Sequence, residues 1–152
     1  MKLSTFTRSV FFAVVSGALV AAAPAFANET PASLKGAELV DAAKAKSLMD
    51  SGAKMIDTRV ANEYAEAHIK GAISVPYKEK SAKAVDFDAA QDSFDVAKLP
   101  ADMNVAIITQ CNGAECWKSY KGAVAALKAG HKKVYWFRGG IPEWKAKGLP
   151  VE

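Results

Sequence analysis

Val105-Ala-Ile-Ile-Thr-Gln110, then Cys111-Asn-Gly-Ala-Glu-Cys116-Trp-Lys-Ser119, then Tyr120-Lys-Gly-Ala-Val-Ala-Ala-Leu127 is the stretch whose reading decides the fold. Its opening residues are β-branched or apolar enough for a buried strand. Tyr120, Ala123, Val124 and Leu127 recur at i, i+3, i+4 and i+7, the spacing of one helix face. Cys111 therefore sits where a strand ends, and a short loop leads into a helix. The amide N–H groups of such a loop and of the first helical turn lack intrahelical partners, and they stabilise an anion at the loop's centre. The anion at hand is the Cys111 thiolate. A free thiol titrates near ~8.5, and helix N-termini with nearby cations bring that value to roughly 3.5–7.5. Cys111 is the expected nucleophile.

The flanks supply more strands and helices in alternation. Asp41 is a candidate cap for a helix to about Asp50 that ends at Gly52. Lys54 to Arg59 reads as a strand with a polar end, Asn62 as the cap of a short helix to about His68, and Gly71 to Pro76 as a second short strand. Beyond the central helix, Gly130 marks a helix end, Lys133 to Phe137 a strand, Gly139-Gly140 a tight turn, and Pro142 the first turn of a last helix. This alternation predicts an α/β domain with a mainly parallel sheet. Lys78 to Pro100 carries lysines, then aspartates, around Phe87 and Phe94. It reads as one or two short helices with loops over a sheet edge, its charges facing water.

Residues 1–27 have the pattern of an export signal: Lys2 and Arg8, the apolar run Val10 to Ala23, and Ala25-Phe26-Ala27 before Asn28. The apolar run is shorter than the ~20 residues a membrane span needs. The expected compartment is the periplasm, with no membrane attachment after cleavage. Residues 28–35 read as a flexible lead-in and 36–152 as one folded domain. Lys2 and Arg8 are the only charged residues ahead of Asn28, so their loss takes the formal charge from +4 to +2. With no basic block and no aromatic interleaving, a nucleic-acid surface is not expected.

Cys111 and Cys116 are the chain's two cysteines. In an oxidising compartment such a pair invites a disulfide. The ring would be small and a domain of this size needs no staple, so a bridge there reads as redox-active rather than structural. Cys116 is then a candidate resolving cysteine, close enough to attack a persulfide or mixed disulfide on Cys111; the alternative is a buried partner or a small apolar side chain. Trp117 either lines the pocket or covers the cysteines. Two distant histidines and one cysteine loop support no zinc site, and no cofactor is expected. Trp136 and Trp144 read as core, and His131 as surface.

Three motifs in order resemble a single-domain rhodanese. Asp57-Thr-Arg59, Glu63-Tyr64, His68-Ile-Lys-Gly71-Ala72 and Pro76 resemble that family's first half. Cys111 falls where it keeps its catalytic cysteine, and Val134 to Trp144 followed by Gly148-Leu-Pro-Val151 resembles its last strand and helix. The resemblance covers nearly all of the chain beyond the signal. It implies about five mainly parallel strands flanked by helices, and a Cys111 that takes a sulfane sulfur as a persulfide from a small donor anion such as thiosulfate. The sulfur then passes to cyanide or a thiol, including a protein thiol, and a monomer is expected. It makes Asn112, Gly113, Ala114, Glu115, Cys116, Trp117, Lys118 and Ser119 the anion-binding loop. Asp57, Arg59, His68, Gly139, Gly140 and Trp144 become structural residues. The loop departs from the family pattern: Lys118-Ser119 stands where an Arg-Ser pair comes two residues earlier, and lysine lacks arginine's bidentate fork. Phosphatases of this fold also carry a longer loop, so an arsenate or phosphate ester substrate stays open. A thiol relay through both cysteines and a non-catalytic binding module are the alternatives.

Overall fold

The computed structural model describes residues 29–152; residues 1–27, read from the sequence as an export signal, lie outside them. The strands are β1 (Ala37–Leu39), β2 (Lys54–Asp57), β3 (Ile73–Ser74), β4 (Ile107–Gln110) and β5 (Val134–Phe137). The helices are α1 (Ala42–Asp50), α2 (Ala61–Glu66), α3 (Trp117–Lys128) and α4 (Gly140–Ala146). The strands form one sheet in the order β1-β5-β4-β2-β3, and every pairing is parallel. Strands β4 and β2 align Met55 with Ile108 and Asp57 with Gln110. This is the α/β architecture expected from the sequence.

Side chains alternate across a strand, so neighbouring residues face opposite layers. Met55, Ile108 and Phe137 join Val40, Ala42, Ala45, Ile141 and Trp144 in the layer with α1 and α4. Ile56, Ile107 and Val134 join Ala123 and Ala126 of α3 on the other face. A smaller aromatic cluster, Trp117, Tyr120 and Trp136, closes the end of that second layer nearest the cysteines. Trp136 and Trp144 are fully buried, as read from the sequence.

Asp41 caps α1 as predicted, its carboxylate accepting the Lys44 N–H at 2.8 Å. Asn62 does not cap α2. The helix starts two residues earlier, after Val60, whose N–H is met by the Glu63 carboxylate at 3.4 Å. Strand β1 had no clear signal in the sequence, because a three-residue edge segment is too short for alternation to show. His131, read as surface, is 4% exposed because the turn after α3 folds it inward, its N–H donating to the Ala126 carbonyl.

The segment from Lys78 to Pro100 holds two short 3-10 turns, Ala89–Gln91 and Val96–Lys98. Its charges do not all face water. Lys121 of α3 is fully buried, its ammonium 2.8 Å from Glu79, 2.8 Å from the Ser81 hydroxyl and 3.6 Å from Asp92, with the Phe87 ring 4.9 Å away. Asp92 also accepts from the Tyr77 hydroxyl, the Ser81 hydroxyl and the N–H groups of Lys80 and Ser81. Burial alone would raise the Asp92 carboxyl, but these donors outweigh it and hold it well below the usual carboxylate range. Burial, then the bond to Asp92, push the Tyr77 phenol well above its ordinary value, so it stays a donor. The segment is tied down by a buried ion cluster because a lysine on the face of α3 turned towards it requires carboxylate partners once desolvated.

Candidate active site

In a parallel α/β sheet the crevice beyond the strands' carboxyl ends is where functional loops collect. Here that edge is built from the loops after β2, β3, β4 and β5. Cys111 directly follows β4, the middle strand, and Cys116 is the residue that caps α3. The two cysteines are joined by a disulfide, with Cα atoms 6.1 Å apart. Neither is a free thiol in this state.

The ring between them is shaped by glycine. Gly113 takes φ +111°, a left-handed conformation that suits glycine, and its carbonyl accepts the Cys116 N–H at 3.0 Å. Gly140 takes φ +58°, and a Cβ there would overlap the Cys111 carbonyl. That carbonyl accepts the Ile141 N–H at 3.0 Å, and the Gln110 side chain accepts the same N–H at 3.1 Å. The Gly139-Gly140 turn thus presses the start of α4 against the cysteine's own backbone.

Asn112 is exposed and donates from its side chain to Glu63 of α2. The Ala114 carbonyl is held from the far side of the sequence. Thr30 donates to it through its N–H at 2.9 Å and its hydroxyl at 2.6 Å, and Arg138 donates to both the Thr30 hydroxyl and the Thr30 carbonyl. Arg138 also pairs with Glu29 at 3.0 Å. Thr30, inside the segment read as a flexible lead-in, is instead 2% exposed and fastened to the cysteine loop. Polar lead-in composition carries no sign of this, because the partners are a loop carbonyl and an arginine over a hundred residues away.

The two sulfur-bearing residues differ in access. Cys111 is 1% exposed, whereas Cys116 is partly exposed and borders a cleft of about 310 Å³ with Glu79, Lys83, Asn112, Glu115, Trp117 and Lys118. A second cleft of about 380 Å³, lined by Val60, Ala61, Pro76, Tyr77, Lys78, Glu79 and Lys118, shares Glu79 and Lys118 with it. A roomier groove of about 480 Å³ opens past Arg138 and Glu143 but meets the loop only at Ala114, so it lies off the sulfur chemistry.

Ser119, expected in the anion loop, is not at the mouth. It is 1% exposed, its hydroxyl accepts the Trp136 indole N–H at 3.1 Å, and its carbonyl accepts the Thr109 hydroxyl. It lies in the first turn of α3, with its side chain turned towards Trp136. Trp117 both borders the cleft and packs edge-on against Tyr120, 5.4 Å between ring centres. Lys118 stands partly exposed at the mouth of both clefts.

The remaining residues fix the rim. Asp57 is fully buried and accepts from Arg59 Nε at 3.0 Å and Nη2 at 2.7 Å; Arg59 also donates to the Ala67 carbonyl. His68 stacks on Tyr64, bonds its carbonyl through Nδ1 at 2.9 Å, and lies 3.4 Å from Glu152 through Nε2. Its ring is occupied at a distance from the cysteines' cleft. Trp144 donates to the Pro150 carbonyl and packs on Phe137. Among the described residues no group of three or more His, Cys, Asp or Glu side chains is arranged to hold a metal. No described helix is long and apolar enough to cross a membrane.

Sequence reading found the cysteines, the glycine turn and the Asp57-Arg59 pair, but missed Lys121, Asp92, Thr30 and Arg138. Only Lys121 left a trace: a lysine inside the run from Tyr120 to Ala126, opposite a segment rich in aspartate.

Comparison with known proteins agrees with this geometry. The chain is 28% identical over 108 residues to thiosulfate sulfurtransferase 16, chloroplastic, of Arabidopsis thaliana, covering 71% of this chain and 87% of that protein. It is 31% identical over 98 residues to the HTH-type transcriptional regulator Rv0324 of Mycobacterium tuberculosis, covering 64% of this chain but only 37% of the regulator. The crystal structure of thiosulfate sulfurtransferase from Pseudomonas aeruginosa superposes with a TM-score of 0.57 at 27% identity, over 76% of this chain and 20% of that one. The family model for the Rhodanese-like domain matches residues 41–147. That match spans most of the chain, over the five-stranded parallel sheet described above, and the chain belongs to the rhodanese-like domain family.

Proposed function

We propose that this domain transfers a sulfane sulfur through Cys111. The observation that carries the reading is the position of Cys111 at the carboxyl end of the middle strand, in the loop that leads into α3. In the reduced protein, the Cys111 thiolate attacks the outer sulfur of thiosulfate. The sulfur–sulfur bond of the donor breaks, sulfite leaves with its electron pair, and Cys111 holds a persulfide. Cyanide or a thiolate then takes the outer sulfur and returns the Cys111 thiolate. One difficult transfer becomes two easier ones, and the loop amides with Lys118 supply the positive field for both anions. In the oxidised form Cys111 is closed to solvent, so transfer begins only after the disulfide is reduced.

The disulfide itself favours a second reading, a dithiol relay. Cys116 attacks the inner sulfur of the Cys111 persulfide, hydrosulfide leaves, and the Cys111–Cys116 bond forms; two equivalents of an external thiol then restore both cysteines. Work outside the cytoplasm suits either reading, because an oxidising compartment maintains the bond until a dedicated thiol reduces it. The signal-like pattern of residues 1–27 supports that placement.

The test is thiocyanate production from thiosulfate and cyanide by the pre-reduced protein. Wild type turns over and Cys111→Ser does not. Cys116→Ser retains turnover with cyanide if Cys111 works alone, and loses thiol-dependent hydrosulfide release if the relay operates. No thiocyanate and no hydrosulfide from the reduced wild type would refute both.

A further inference from the structure

The loop's two sulfurs are unequal, and the inequality runs opposite to their roles in sulfur transfer. We propose that thiols enter the site at Cys116: the external thiolate that reduces the disulfide attacks Cys116, and Cys111 is the leaving sulfur. The inference deepens the relay reading, and rests on it only in taking the disulfide as a working state.

Attack on a disulfide is in line, so the nucleophile must reach one sulfur from outside along the S–S axis. Cys111 is 1% exposed at the end of β4 and lines none of the clefts described above. Cys116 is partly exposed and borders the 310 Å³ cleft, whose wall carries Glu79 and Glu115 as well as Lys83 and Lys118. A second observation is independent of access. Cys116 is the residue ahead of Trp117 at the start of a twelve-residue helix. A thiolate at that N-cap position sits at the positive end of the helix dipole, the setting that lowers a cysteine's pKa and makes it the attacking thiol in the reverse, oxidising direction. Exposure selects Cys116 for attack by a thiol, and helix position selects it for attack on a disulfide.

The step balances. An external thiolate RS⁻ forms a bond to Cys116 Sγ, the Cys116–Cys111 bond breaks, and the electron pair leaves on Cys111 as a thiolate. A second external thiolate attacks the outer sulfur of the mixed disulfide and releases RSSR and the Cys116 thiolate. The protein disulfide is reduced and two external thiols are oxidised. The sequence alone points to Cys111, because its place after the strand is the family's catalytic position; the exposure difference is visible only in the folded ring.

Glutathione serves as the probe. Oxidised full-length mature protein is mixed with glutathione, quenched in acid after seconds, blocked with N-ethylmaleimide and mapped by peptide mass spectrometry. The reduced protein is treated with glutathione disulfide in the same way, since microscopic reversibility requires the same adduct. The expected result is glutathione on Cys116 over Cys111 by at least about tenfold in both directions, with maleimide on Cys111. In Cys111→Ser the adduct on Cys116 should accumulate stably, and in Cys116→Ser the remaining thiol should react more slowly by a similar factor. An adduct mainly on Cys111, an even division, or no adduct from either direction would overturn the assignment. None of these readings involves a sulfane sulfur. Failure of thiocyanate production therefore leaves this assignment standing, and an adduct on Cys111 leaves sulfur transfer standing.

Discussion

Replacing Lys121 by methionine keeps a similar length and removes the charge that holds the Lys78–Asp92 segment against α3. The lysine has no solvent exposure, and its ammonium contacts Glu79, Ser81 and Asp92 at 2.8, 2.8 and 3.6 Å. Its partners are nearly as deep, with side-chain exposures of 11% for Glu79 and 2% for Asp92. Removing one member of a buried pair leaves the other charge desolvated, at a cost of about 3–5 kcal/mol. The exposed Lys46–Asp50 pair on α1 contributes a few tenths of a kcal/mol by comparison. Tyr77, Ser81 and Lys80 still bond Asp92 in the variant, so the lower end of the buried range applies, ~3 kcal/mol. Buried Trp117, Trp136 and Trp144 report unfolding by fluorescence. With a urea m-value of about 2 kcal/mol/M, the midpoint should fall by about 1.5 M at pH 7. Lys121→Met combined with Glu79→Gln should recover part of the loss, because it removes an orphaned carboxylate. A loss under about 1 kcal/mol, with no recovery in the double variant, would show that water screens the cluster as it does a surface pair, and would refute the reasoning.

The same cluster sets a pH response. The Asp92 carboxyl is lowered on folding, so its stabilisation is complete above the unfolded value near ~3.9 and is lost as pH falls through the lower folded one. Acid titration of stability should therefore be shallower in Asp92→Asn than in wild type; equal acid limbs would contradict this. Gly140→Ala drives a Cβ into the Cys111 carbonyl at a positive φ and should cost about 3 kcal/mol or more, read as a lowered urea midpoint and altered disulfide reduction kinetics. Thr30→Val deletes the hydroxyl shared by Ala114 and Arg138, so it should cost about 1–2 kcal/mol and speed amide hydrogen exchange across residues 112–116. Unchanged exchange there would mean that Thr30 does not hold the loop.

The fold was legible because its signals are local. β4 and α3 follow from a change of hydrophobic period on either side of the cysteine loop, and α1 from a capping aspartate and a terminal glycine. What stayed hidden depends on distant partners. β1 is a strand only because β5 accepts it, and Thr30 is ordered only because Arg138 and Ala114 lie beside it. Lys121 and Asp92 read as solvated charges, since composition cannot say that their carriers face each other across a buried gap. At the site, Cys111, Gly139-Gly140 and the Asp57-Arg59 pair were readable as motif residues. The burial of Ser119 and the unequal exposure of the two sulfurs depend on the path of the folded loop, which no spacing rule predicts.

The most direct test of sulfur transfer through Cys111 is the intact mass of the protein as isolated, before and after reduction, and again after thiosulfate is added to the reduced form. The account predicts that the starting protein lacks two hydrogens relative to the dithiol, and that the reduced protein gains one sulfur atom from thiosulfate. Cys111→Ser should gain none. A reduced protein that never gains sulfur, or one that gains it equally in Cys111→Ser, would contradict the claim.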